Sequence, residues 1–112
     1  MTLEDVLSAA TEELDPPPDV VQTDDGAWVW SRDGVAFAEL EGAVDSVAFR
    51  LDATLAAAAV RTPDTVTTAR GNEWVVFAPG AVDGHAADRA RSWFEAAYRR
   101  AGPPESDDAP VA

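Results

Sequence analysis

The sequence predicts an α+β domain: an antiparallel sheet of about five strands packed against N-terminal and C-terminal helices, with a short helix between strands. Three observations lead there. Apolar residues recur at helical spacing near both ends of the 112-residue chain. Short runs rich in Val, Trp and Phe fill the middle, and turn formers such as Asp33-Gly34 separate them.

Thr2 followed by Asp5 makes a capping box that opens a helix over about residues 3–14. Leu3, Val6, Leu7, Ala10 and Leu14 form its apolar stripe, with Glu4, Asp5, Ser8 and Glu12 on the opposite side. "DPPPD" stops that helix and acts as a stiff connector. "DVVQT" predicts a first strand, turned by Asp24-Asp25-Gly26. "AWVWS" and "VAFAEL" flank "RDG", in which Asp33-Gly34 is a favoured two-residue hairpin turn. That register places Trp30 opposite Phe37 and Trp28 opposite Glu39 on one face. Val29 opposite Ala38 and Ala27 opposite Leu40 lie on the other.

Gly42 allows a turn into "VDSVAFRL", where Val47, Phe49 and Leu51 alternate with Ala48 and Arg50. Asp52 caps a short helix, "ATLAAAAV", which the Thr62-Pro63 step ends. "DTVTTAR" is weakly extended, and "EWVVFA" is a strand carrying Trp74, Val76 and Phe77. The last helix runs from about Asp83 to Ala101 on a stripe of Ala87, Ala90, Phe94, Ala97, Tyr98 and Ala101. Residues 1–101 thus read as one domain, and "GPPESDDAPVA", residues 102–112, as a disordered acidic tail. No internal repeat is present.

Composition narrows the chemistry. The absence of cysteine excludes disulfides, thiolate zinc sites and thiol catalysis, and fits a reducing compartment. The acidic start lacks the basic and apolar regions of a signal peptide, and no apolar run is long enough to span a bilayer. The expectation is a cytoplasmic protein without membrane contact. Net charge is −13, every basic residue is Arg, and residues 1–31 contain none. Such a field repels nucleic acid at long range, so a protein is the expected partner. It also solubilises, and 21 acidic residues place neighbouring carboxylates together without any catalytic design.

His85 is the only histidine and stands near a helix start, where N–H groups attract anions. Helical spacing turns it away from the buried stripe, and neither a nucleophile nor an orienting partner accompanies it. It reads as a water-facing residue and, at most, an anion contact. The chain has no nucleophile elbow, P-loop, dinucleotide fingerprint, H-E-x-x-H motif or calcium loop. The reading is therefore non-catalytic and without a cofactor. On the last helix, Arg91, Glu95 and Arg99 form an i,i+4 ladder. Arg89 and Arg100 flank Trp93 at the margin of the apolar stripe, making a candidate partner-binding patch. The plainer reading is an arginine stacked on a half-buried tryptophan. Glu4, Asp5 and Glu12 are the candidate ligands for a hard cation. Trp28, Trp30 and Phe37 read as a core face covered by helices, since a stacking platform for single strands would carry more Lys and Arg.

The order and spacing of these segments resemble the MmcQ/YjbR family. The residues that carry the likeness are "WVWSRDGVAFAEL", "VAFRLDATLAAAAV", "RGNEWVVF" and "WFEAAYRRA", within roughly residues 3–101. The luciferase-domain and competence-regulator N-terminal families are similar in the same way. The resemblance implies a double-wing, CyaY-like sandwich related in topology to frataxin. It also implies the family's description as predicted DNA-binding proteins, with no catalytic residues to carry over. Positions often basic in that family read Arg70, Gly71, Asn72 and Glu73 here, and with the overall charge this argues against DNA. The frataxin likeness brings weak metal binding through the acidic first helix as a fold-level analogy.

Overall fold

Nine elements follow one another among the described residues. They are α1 (Leu3–Glu13), β1 (Asp19–Gln22), β2 (Trp28–Arg32), β3 (Val35–Glu41), β4 (Ser46–Arg50), α2 (Ala53–Ala59), β5 (Thr65–Thr68), β6 (Gly71–Phe77) and α3 (Gly84–Ala101). The computed structural model describes residues 2–41, 45–68 and 71–101. The expected turn at Gly42, the residue Arg70 and the expected tail over 102–112 lie outside the described residues.

The strands form one open sheet in the order β1-β2-β3-β4-β6-β5. Every neighbouring pair is antiparallel. There are six strands among the described residues, one more than the sequence suggested, because β1 and β5 both pair. Strands β4 and β5 lie on either side of β6, and α2 provides the crossover between them.

Local sequence explains the boundaries. Thr2 and Asp5 close the capping box of α1 reciprocally. The Asp52 carboxylate accepts from the Leu55 N–H at 2.8 Å and starts α2. Asp83 caps α3 rather than belonging to it, accepting from the Ala86 N–H at 2.9 Å. Asp33 and Gly34 have φ of 53° and 82°, the positive pair that a type I′ hairpin turn requires.

The hairpin register differs from the expected one by a residue. Trp28 faces Leu40, Val29 faces Glu39 and Trp30 faces Ala38, with a β-bulge between Trp30 and Ser31. The bulge sets Ser31 against Ala36 and leaves Phe37 as the extra residue. Phe37 and Ala38, though adjacent, are consequently both buried. An ideal two-residue turn propagated without a bulge misses this.

The helices settle which face of the sheet is covered. α3 lies across β2, β3 and β4, α1 packs on α3, and α2 packs on β6 and β5. Leu3, Leu7, Phe37, Leu40, Val47, Phe49, Val75, Phe77 and Phe94 are fully buried in a single core. The rings of Trp30 and Phe94 meet edge to face at 5.6 Å, and Phe37 lies 5.4 Å from Phe94. Trp93 is 9% exposed and sits in this core, not at its margin, with Phe77 at 5.4 Å and Phe49 at 6.3 Å. Ala86 takes the buried position expected of Ala87, which is half-buried. The Tyr98 hydroxyl donates to the Pro16 carbonyl, fastening the proline connector to α3.

Candidate functional site

The sequence-predicted residues do not assemble into one site. His85 is exposed at the start of α3, where its nearby carboxylate, Asp83, serves as the helix cap. The N–H of Ala86 holds the Asp83 carboxyl below its ordinary range, and the histidine charge adds a smaller pull. This is a capped helix start, with no nucleophile in the arrangement.

The Arg89, Trp93 and Arg100 trio is divided among structural roles. Trp93 presents its ring to Phe49 and Phe77. The Arg89 guanidinium stands 5.8 Å from the Phe77 ring centroid. Arg100 reaches Glu73 on β6 at 2.7 Å, and Arg50 on β4 approaches the same carboxylate at 3.5 Å. The hydrogen bond from Arg100, joined by the charges of Arg100 and Arg50, holds the Glu73 carboxyl below the usual range. The three side chains therefore offer no shared cationic-aromatic surface. Sequence spacing put Trp93 at the helix margin because it could not show that β4 and β6 bring two phenylalanines against it.

The acidic first helix divides too. The Asp5 carboxylate is engaged with the Thr2 backbone N–H at 3.2 Å. Glu4 and Glu12 line a groove between α1 and the β1–β2 end of the sheet, together with Ser8, Thr11, Val20, Trp28 and Trp30. Among the described residues, no group of three or more His, Asp or Glu is placed to hold a metal ion. The cation ligands expected from the sequence are thus not gathered.

The strongest candidate surface was not singled out in the sequence. It is the sheet face opposite α1 and α3. Pairing aligns Val21, Val29, Glu39, Ala48, Val76 and Val66 into one row across all the strands. None of these is buried, and Val21 and Val66 are 60% and 59% exposed. A shallow trough of about 330 Å³ crosses this face, with Val29, Ala48 and Val76 on its floor and Asp25, Glu39 and Glu41 among its lining. Among the described residues, none in its lining is basic. A hydrogen bond from the Thr23 hydroxyl holds the Asp25 carboxyl below its ordinary range, which favours its ionised form. The alternation of Val29 with Trp28 and Trp30, and of Ala48 with Val47 and Phe49, was the available signal. It assigned the two faces but not which of them the described helices leave uncovered.

No family model, no curated protein and no solved structure matches this chain. No helix among the described residues is long and apolar enough to cross a membrane. What the fold and the surface define is a class: an α+β protein with a six-stranded antiparallel sheet, its core on one face and an acidic, partly apolar trough on the other.

Proposed function

We propose that this protein is a non-catalytic binding module of the MmcQ/YjbR type that takes a basic protein segment on its open sheet face. The observation that carries the reading is the trough itself. Apolar Val29, Ala48 and Val76 lie beside the carboxylates of Asp25 and Glu41, and none of the described residues in the lining is basic. Apolar contact would supply affinity, and the carboxylates would select a cationic partner and speed its approach. The element order supports the family likeness: a helix, four antiparallel strands, a short helix, two strands and a long helix. The DNA-binding role attached to that family finds no cationic surface among Arg89, Trp93 and Arg100, and the net charge of −13 opposes it.

The test is a map of amide shifts in ¹⁵N-labelled protein. A short peptide of alternating lysine and valine is titrated first, then a short DNA duplex, each at low and physiological salt. The expected result is saturable shifts at Val29, Ala48 and Val76 with the peptide, and none with the duplex at physiological salt. Shifts that cluster on α3 with the duplex and survive physiological salt would establish DNA binding in its place. Failure of the peptide to shift the trough would also overturn the reading.

A further inference from the structure

The groove between α1 and the β1–β2 end lies on the helical side of the sheet, away from the open trough. It encloses about 220 Å³, and its walls are unlike in chemistry. Trp28 is half-buried, so part of its indole remains at the groove wall, and Val20, 40% exposed, extends the apolar side. Trp30 is nearly closed off, with its indole N–H donated to the Thr11 hydroxyl at 2.9 Å. The opposite wall is α1, which contributes Glu4, Ser8 and Glu12.

The C-terminal turn of that wall goes against what a surface helix needs for its own stability, whereas Glu4 stands in the first turn, where the dipole favours a carboxylate. The last turn of α1 contains no basic residue, yet Glu12 and Glu13 stand there, beside the negative end of the helix dipole. Glu13 is answered by an ion pair with Arg91 from α3. Glu12 and Glu4 have no ion-pair partner among the described residues. No basic residue occurs anywhere in residues 1–31 to supply one locally.

We propose that this groove is a second, separate recognition site, which receives the guanidinium of an arginine on a partner polypeptide. A guanidinium is planar, sheds water more readily than an ammonium, stacks on an indole face and presents a fork to a carboxylate. The groove provides these complements side by side, with Trp28 for the plane and Glu12 for the fork. Glu4 and Glu12 are two helical turns apart, about 12 Å along the axis, so one cation engages one of them rather than bridging both. Val20 and Trp28 then cover the aliphatic stem. The site does not depend on the reading of the sheet face, because its residues point to the other side of the sheet.

The experiment follows the indole N–H resonances of Trp28 and Trp30 in the full chain while N-acetyl-arginine methylamide is added at constant ionic strength. The lysine and norleucine analogues are run in parallel. The arginine probe is expected to shift the Trp28 indole saturably, and the lysine analogue to bind more weakly. Norleucine, which keeps the stem and lacks the charge, should leave the resonance still. In Glu12→Gln and in Trp28→Leu, affinity should fall about two- to fivefold. Glu12→Gln is a surface change that leaves the core untouched, so the test survives if Trp28→Leu unfolds the protein. Shifts that rise linearly, that norleucine reproduces, that lysine matches in affinity, or that Glu12→Gln leaves unchanged would each overturn the proposal. Because Val29, Ala48 and Val76 are followed in the same spectra, failure at the groove is separable from failure at the trough.

Discussion

Two adjacent cross-strand rows of the sheet have opposite fates. Gln22, Trp28, Leu40, Val47, Phe77 and Thr65 align in one row, and Val21, Val29, Glu39, Ala48, Val76 and Val66 in the next. The residues of the second row are sequence neighbours of the first on every strand. Yet Leu40, Val47 and Phe77 are fully buried, while no member of the second row is. Strand propensity does not separate the rows, since both contain β-branched valine. Bulk does: the covered row gathers aromatic rings that meet α3, and the open row has valine, alanine and glutamate. A sheet needs only one face packed to be stable, which leaves the other free to be chosen for contact with something else.

The sharpest way to break that comparison is to remove bulk from one side and then the other. Phe94→Ala empties a site where the ring meets Trp30 and Phe37 at 5.6 and 5.4 Å. We expect it to cost about 3–5 kcal/mol in urea unfolding, or to prevent folding. Val76→Ala on the open face should cost less than about 1 kcal/mol, because the site is already half in water. Comparable losses would mean that the open face is covered in solution.

A smaller effect belongs to the edge of the core. In Trp30→Phe most of the buried ring is kept, but the indole N–H that reaches the Thr11 hydroxyl is lost. The Thr11 hydroxyl still donates to the Leu7 carbonyl at 2.7 Å, so no donor is stranded. The expected cost is about 1–2 kcal/mol, from one hydrogen bond and an imperfectly filled volume. A cost as large as that of Phe94→Ala would show that Trp30 fixes the seating of α1.

Much of the covered face was legible because helical and strand periods each leave a clean trace. The α1 stripe of Leu3, Val6, Leu7 and Ala10 and the β4 alternation of Val47 and Phe49 are buried as spacing requires. The register of β2 against β3 was not legible, because a bulge at Trp30/Ser31 adds one residue that no turn rule announces. The candidate site was harder still. Spacing along α3 drew attention to Arg89 and Arg100, but their partners, Phe77 and Glu73, come from β6. A surface used by no helix has no local signature, since it is defined by what packs elsewhere.

The Glu73 cluster that ties α3 to β6 and β4 is sensitive to pH. The Glu73 carboxyl lies below its ordinary range first through the hydrogen bond from Arg100, while burial opposes the shift. Its folded value is below the unfolded one. The pairing therefore stabilises the fold above the unfolded carboxylate range, and that contribution is lost as pH falls through the folded value. Glu73→Gln should be slightly less stable than the parent near neutral pH and converge with it in acid, by urea midpoints at the two conditions. The side chains of this cluster are about a third exposed, so the difference is small. A gap that widens in acid would assign the pairing the wrong sign.

The least stability is expected to change where binding should change most. Val29→Thr on the open face keeps the branched shape and strand preference of the residue, and converts one methyl into a hydroxyl that water can reach. Unfolding should move by no more than about 0.5 kcal/mol. Affinity for the lysine–valine peptide should fall about fourfold, the worth of roughly one buried methylene. The same exchange at Val47, one row away on β4, puts the hydroxyl into the closed core and should cost about 1–3 kcal/mol of stability. If Val29→Thr proves as stable as the parent and binds the peptide equally well, the trough is only a wet surface. If stability holds and affinity drops, the two faces have been separated: one maintains the fold, and the other is available to a partner.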